Sequence, residues 1–269
     1  MMKPLKVLCI GGSDSSGGAG IQADLKAVCA CGCWGLSVIT AVTAQNTHGV
    51  AGIYPVSPDF VGKQLDIVLG DIKADAVKTG MLPTEEIVRI VAKKIIKYKI
   101  KIVVVDPVMI AKGGKTLMQK KAREALIQEL MPLAFAVTPN IPEAETLSQI
   151  KIASVADMKK AAVRIHGFGV KYVLIKGGHL PSDRKLDATD ILYNGDTYEF
   201  SSQRMNRRDI HGTGCTYASA LAAGLAGGCS MVDAALRAKI MTAAAMKNAV
   251  NPGKGYGSAN VFGELFKRT

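Results

Sequence analysis

Cys215 stands at the head of an alanine-rich run, in a segment that reads His211, Gly212, Thr213, Gly214, Cys215, Thr216. The first N–H groups of a helix have no partner within the helix. With the helix dipole they form an anion site. Gly212, Thr213 and Gly214 precede or open that helix, and the glycines remove side chains that would block an incoming phosphoryl group. A thiol in the first turn is expected to have a pKa below the free value of about 8.5, so Cys215 could accept a proton from a substrate hydroxyl. The alternative is a buried small apolar side chain, the role expected of Cys229.

Other chemically capable residues follow short apolar runs. Gly11–Gly20 is glycine-rich. It lacks both the G-x-x-x-x-G-K-[ST] phosphate loop and the G-x-G-x-x-G dinucleotide signature with its acidic partner about 20 positions on. Gly17, Gly18 and Gly20 lead into a helix, so their amides could face a ligand, with Asp24 one turn further; the other reading is a flexible turn. In Thr43–Gly49, Gln45 and Asn46 each carry a carbonyl acceptor and an NH2 donor, a match for a heteroaromatic ring bearing nitrogens and an amino group. Asn46 and Gly49 could equally shape a turn. Met81, Val108 and Met109 could wall an apolar slot around a flat ring, or simply fill the core. Around Asn140, Pro142 suits a first helical position and Glu143 the positive helix end, an ordinary helix start. Asn140 and Glu143, beside Asp106, could also hold Mg2+, which takes few carboxylates and several waters. Lys176 puts a cation at the same edge, followed by two glycines that let backbone approach a ligand.

These residues need a scaffold that gathers strand ends. Strands are predicted at Leu5–Ile10, Leu36–Val42, Ala51–Pro55, Ala74–Lys78, Lys101–Asp106, Leu133–Thr138 and Tyr172–Lys176, with a hairpin over Thr189–Phe200 turning at Asn194–Asp196. Helices are predicted at Ala19–Val28, Pro58–Gly70, Thr84–Tyr98, Thr213–Ala226 and Met231–Asn248. The apolar run before Asp106 suits a parallel strand covered on both faces. Strand–helix alternation predicts an α/β fold with a mostly parallel sheet and helices on both sides. Neither linker nor repeat divides the chain, so one domain over 1–269 is expected. Ligands of such sheets bind at the carboxyl ends of the strands, where the polar segments lie.

Composition narrows the partners. The chain has 269 residues, 48% of them hydrophobic, and a formal charge of +12. The basic residues are scattered. The densest group, Lys93, Lys94, Lys97, Lys99 and Lys101, reads as a solvated face, and with aromatics at 5% stacking platforms for bases are scarce. Nucleic acid is therefore not an expected partner. No segment reaches the ~18 apolar residues of a membrane helix, and the amino-terminal residues show no cleavable signal, so a soluble cytoplasmic protein is expected. The cysteines at 9, 29, 31, 33, 215 and 229 lack paired zinc spacing and read as reduced, buried small residues.

In order along nearly the whole chain, the segments Gly12–Lys26, Ser37–Thr47, Lys78–Leu82, Val105–Met109, Thr138–Glu145, Lys176–His179 and His211–Thr216 resemble the hydroxymethylpyrimidine/phosphomethylpyrimidine kinases of thiamine biosynthesis, within the ribokinase-like superfamily. The resemblance implies a three-layer α/β/α sandwich and ATP with Mg2+. It implies phosphorylation of 4-amino-5-hydroxymethyl-2-methylpyrimidine to its monophosphate and then its diphosphate. Gly12, Ala19, Asp24, Gln45, Met81 and Val108 would line the pyrimidine pocket. Asn140, Glu143 and Lys176 would serve Mg-ATP, Gly212–Gly214 the anion hole, and Cys215 would stand where relatives place a catalytic aspartate. A homodimer is implied. Related pyridoxal kinases share much of the pattern and are the alternative; Thr213 and the Ala44-Gln45-Asn46 segment favour the pyrimidine. The tail Gly253–Asn260 departs from the family's G-K-G-x-G-P-V-N at Ser258 and Ala259. The polar segment 179–187 is a candidate lid.

Overall fold

The structure is a computed structural model that describes residues 3–111, 113–178, 180, 187–203 and 210–263. The elements in chain order are β1 (Lys6–Asp14), α1 (Gly20–Ala30), β2 (Trp34–Asn46), β3 (Gly49–Pro55), α2 (Pro58–Asp71), β4 (Ala76–Thr79), α3 (Glu85–Lys97), β5 (Val103–Val105) and α4 (Lys120–Ala125). After a π turn and a 3-10 turn come β6 (Ala136–Val137), α5 (Ile141–Ser148), α6 (Val155–His166), β7 (Tyr172–Ile175), β8 (Asp187–Tyr193), β9 (Thr197–Gln203), β10 (Ile210–His211), α7 (Thr213–Ala226), α8 (Met231–Lys247) and β11 (Gly257–Ser258). His179 and most of the candidate lid lie outside the described residues.

Nine strands form one sheet in the order β3-β2-β1-β4-β5-β6-β7-β8-β9. The run from β2 to β7 is parallel, and the remaining neighbours pair antiparallel. Strand alternation divides the core. Leu8, Ile10, Val77, Val103, Val105, Val137, Val173 and Ile175 face a layer that includes α2, α3, α5 and α6. Val7, Cys9, Ala76, Val104, Ala136 and Leu174 face a layer that includes α1, α7 and α8. Both faces are covered, which is why the central strands read as unbroken apolar runs. The result is the expected α/β/α sandwich.

Local chemistry accounts for the helix starts. Ser57 caps α2 by accepting from Phe60 N–H, with Pro58 at the first position. Thr84 caps α3 through Ile87 N–H, and Ser230 caps α8 through Asp233 N–H. Each cap satisfies one amide that the helix itself cannot. α7 is different. It has no side-chain cap and is buried almost all round by small residues, so it can pack closely on the middle of the sheet, against β1, β4 and β5.

The cysteine expectation needs correction. Cys9 and Cys33 are buried, but Cys29 and Cys31 are exposed. α1 ends at Ala30, and the chain turns at the surface through Gly32, whose φ is +76°. Cys215 and Cys229 are only partly buried.

Candidate active site

β1 lies between β2 and β4, so the chain leaves β1 first to one side of the sheet and later to the other. Crevices form at the carboxyl ends of strands beside such a reversal. Here the crevice is a cavity of about 560 Å3. The sequence-predicted residues Gly12, Ala19, Asp24, Gln45, Met81, Asp106, Val108, Asn140, Glu143, Lys176, Gly212, Thr213, Gly214 and Cys215 all line it.

The amino end of α7 opens into this cavity. Gly212 precedes the helix with φ +77°, and a Cβ there would lie 2.0 Å from the Gly18 carbonyl oxygen. Only glycine fits that backbone and that approach. A Cβ on Gly214 would lie 3.4 Å from Lys176 Nζ and 3.8 Å from Asp106 Oδ2. The uncapped amides thus sit directly beside a buried ion pair.

In that pair Lys176 Nζ donates to Asp106 Oδ1 at 2.9 Å, and Thr138 Oγ1 donates to the same oxygen at 3.1 Å. Burial pushes the Asp106 carboxyl up, but Lys176 and Lys78 outweigh it and hold the group below its ordinary range. Burial likewise opposes charge on Lys176, yet Asp106 and Glu143 keep its pKa raised. Glu143 closes a capping box: its Oε2 accepts from Asn140 N–H at 2.9 Å, and Asn140 Oδ1 accepts from Glu143 N–H at 2.9 Å. The helix-start reading of these two residues is therefore correct, and both also face the cavity. Burial pushes the Glu143 carboxyl up to about 7; Lys176 opposes the shift and Asp106 adds to it.

Cys215 corrects an expectation. Its pKa is pushed up to about 12 rather than lowered. Burial is the main cause. Lys78 and an amide hydrogen bond from Gly20 favour the thiolate, and Asp24 and Asp106 oppose it. The helix end alone does not offset loss of water around the sulfur. At neutral pH the resting thiol carries its proton.

The glycine-rich loop is a second correction. Asp14 turns back on it, and its carboxylate accepts from the amides of Ser16, Gly18 and Ala19 at 2.8, 3.1 and 2.8 Å. Gly17 N–H donates to Asp14 O at 3.0 Å. The loop amides at 17 and 18 thus serve the loop itself, and that of Gly20 faces Cys215.

On the other flank, Met81 packs against Gly12, where an added Cβ would lie 2.9 Å from the sulfur. Gln45 is held by Ser15, which donates to its carbonyl at 2.7 Å, while its side-chain oxygen lies 3.2 Å from Thr43 Oγ1. Asp24 lies within the cavity wall, but its oxygens are already engaged by Lys78 Nζ at 2.8 and 2.9 Å and by Ser219 Oγ at 2.9 Å. The tail closes beside Gly212. Ser258 N–H donates to Val250 O at 2.8 Å, a bond that proline could not make, and Ala259 N–H donates to His211 O at 3.0 Å. With Ser258 and Ala259 in place, the tail closes against Val250 and His211.

Sequence reasoning missed Lys78, Asp190, Tyr217 and Lys239, which also line the cavity. A lysine inside the short apolar strand β4 and an aspartate inside β8 were the available signals, since a buried charge needs a partner.

No three-residue metal cluster occurs among the described residues. Mg2+ does not require one, since it binds through one or two carboxylates, phosphate oxygens and water. Asp106 and Glu143 fit that demand. They are oxygen donors lining one cavity, and the Asp106 charge disfavours ionisation of Glu143, a repulsion that a cation would relieve.

A family model described as phosphomethylpyrimidine kinase matches residues 14–260. A hydroxymethylpyrimidine/phosphomethylpyrimidine kinase of Bacillus subtilis is 45% identical over 268 residues, covering 99% of this chain and 97% of that protein. A thiamine biosynthesis bifunctional protein of Geobacter sulfurreducens is 50% identical over 255 residues, 94% of this chain; the chain spans 51% of that longer protein. Among solved structures, an ADP complex of Bacillus subtilis pyridoxal kinase superposes with a TM-score of 0.90 at 36% identity, covering 98% of this chain and all of that one.

Proposed function

Starting from the fact that this chain belongs to the phosphomethylpyrimidine kinase family, we propose that it phosphorylates 4-amino-5-hydroxymethyl-2-methylpyrimidine and then the resulting monophosphate, for thiamine biosynthesis. ATP is the phosphoryl donor, and Mg2+ accompanies it. The observation that carries this reading is the junction of an uncapped helix start with the Lys176–Asp106 pair in one cavity.

A migrating phosphoryl group passes through a loose transition state, so positioning and charge stabilisation supply most of the catalysis. The amides of Gly212, Thr213 and Gly214 face the group in flight, and Lys176 adds a full positive charge. Asp106 and Glu143 would hold Mg2+, which would shield the charge of the donor's phosphates; Asn140 fixes Glu143. Gln45 reads the ring edge, with Gly12, Ala19, Met81 and Val108 as walls. Asp24 holds Lys78 at the cavity floor. Cys215 faces the acceptor hydroxyl. Being protonated at rest, it orients that hydroxyl; it can take the hydroxyl proton only after releasing its own to solvent, which more positive surroundings would favour.

The chain acts as one domain over 1–269, in a homodimer, in the cytoplasm, without nucleic acid or membrane. Family resemblance supports the dimer. Among the described residues no helix is long and apolar enough to cross a membrane.

The test is a coupled ATP assay with Mg2+ on the hydroxymethylpyrimidine, its monophosphate and pyridoxal. Turnover of both pyrimidines, in preference to pyridoxal, is the expected result. Turnover of pyridoxal alone would move the chain to the related activity, and no turnover of any of them would end the reading.

A further inference from the structure

At the far end of the strand row from Gln45, the cavity closes on a buried carboxylate with no role in the reaction described above. Asp190 in β8 is 3% exposed. Its Oδ1 accepts from the Gly177 amide at 2.9 Å. Its Oδ2 accepts from the Tyr217 hydroxyl at 3.1 Å and from Lys239 Nζ at 2.8 Å. Lys239, in α8, also donates to the Ala188 carbonyl at 3.0 Å. Gly177 directly follows Lys176, and Tyr217 lies two residues beyond Cys215. One side chain therefore joins the turn that carries the catalytic cation to the helix that supplies the amides.

The surroundings make this joint stiff. A Cβ on Gly177 would lie 1.8 Å from the Thr189 carbonyl oxygen, so the turn is pressed onto β8. Neutralising Lys239 would occupy only one carboxylate oxygen. The other is given to the amide of the residue after Lys176, which a purely charge-balancing partner would not need.

We propose that Asp190 is a positioning residue that sets the separation between Lys176 and the amide ring at the start of α7. The inference rests on the reading that those two elements hold the phosphoryl group. Reacting groups misplaced by about 1 Å can cost on the order of 10²-fold in rate, and a carboxylate fixing both elements removes that freedom.

The test uses the full chain, with Mg-ATP and the hydroxymethylpyrimidine, and two variants that leave no unpaired buried charge. Asp190→Leu with Lys239→Met removes the acceptor for Gly177. Asp190→Asn with Lys239→Met keeps an acceptor for Gly177 and offers an NH2 group to Tyr217. The leucine pair is expected to lose roughly 10- to 100-fold in kcat, while KM for the pyrimidine stays within about twofold. The asparagine pair is expected to recover to within about threefold of the parent, since it keeps the joint. Parental kcat in the leucine pair overturns the proposal, as does equal loss in both pairs when both melt cooperatively. Should the leucine pair fail to fold, Tyr217→Phe carries the test: a several-fold fall in kcat at constant KM supports the role, and parental kcat defeats it. Lys176→Ala is measured alongside. If it retains full activity, the underlying reading fails. If it is inactive while the leucine pair is fully active, only the role of Asp190 fails.

Discussion

The Cys215 thiol should be inert in the ligand-free protein, despite standing at a helix start. Its pKa is pushed up to about 12, which corresponds to a thiolate population at least about a thousandfold smaller than a free thiol's at any pH well below 8.5. Only the thiolate attacks an alkylating reagent. With iodoacetamide, the Cys215 rate should therefore climb about tenfold per pH unit and show no plateau below roughly pH 11. The slope is the diagnostic, because limited access lowers the rate equally at every pH. Peptide mass spectrometry resolves Cys215 from the five other cysteines, and circular dichroism at each pH confirms that the fold persists. The same peptide in denaturant should level off near the free value of about 8.5. A plateau below pH 9 in the folded protein would refute the argument that burial outweighs Lys78 and the Gly20 amide. It would restore a pre-formed thiolate base.

Cys215→Ala should lower turnover more than about tenfold while nucleotide still binds; unchanged kcat would remove the sulfur from the reaction. Gly212→Ala should cost on the order of 100-fold in kcat, because the added methyl group would overlap the Gly18 carbonyl and the residue's φ is positive; parental kcat would show that the helix start can shift without consequence. Glu143→Gln should stabilise the ligand-free protein at pH 8 but not at pH 4. The folded state raises this carboxyl to about 7, so it favours folding when protonated, and that contribution is lost as pH rises through 7. The difference between the two pH values is worth up to about 3 kcal/mol. Glutamine keeps the capping-box acceptor, so a thermal melt separates charge from capping. A stability gain independent of pH would contradict the assigned cause.

Much of this site was legible because its chemistry sits at strand ends. Each polar segment follows an apolar run, so a parallel sheet must bring Gln45, Asp106, Asn140 and Lys176 to one edge. α7 was legible for the opposite reason. A run of small residues with no cap has little to do except pack closely and leave its amides free. What escaped detection depended on three-dimensional compensation. The glycine-rich loop looks open in sequence, yet Asp14 folds back to fill it. Cys215 looks activated from its place on a helix, but its pKa depends on water excluded by distant segments and on Lys78, Asp24 and Asp106. Short strands such as β10 and β11 leave no periodicity to read, since two residues cannot alternate.

The same contrast orders the charges in the cavity. Lys78, Lys176 and Lys239 each face a carboxylate, namely Asp24, Asp106 and Asp190. An unpaired buried ion is far costlier than a paired one, so the protein folds with its cations already neutralised. Lys78 is fully buried, Lys239 and Lys176 keep 9% and 13% of their side chains exposed, and of the three Lys176 lies beside the α7 amides. Standing beside those amides, Lys176 is the cation for which an incoming polyphosphate would compete with Asp106, and a divalent cation would be able to take the carboxylate so released. Binding of nucleotide and metal together would then exchange one ion pair for two. Lys176→Met should accordingly weaken nucleotide binding more in the presence of Mg2+ than in its absence, measured by calorimetry. Equal weakening under both conditions would show that the pair does not exchange.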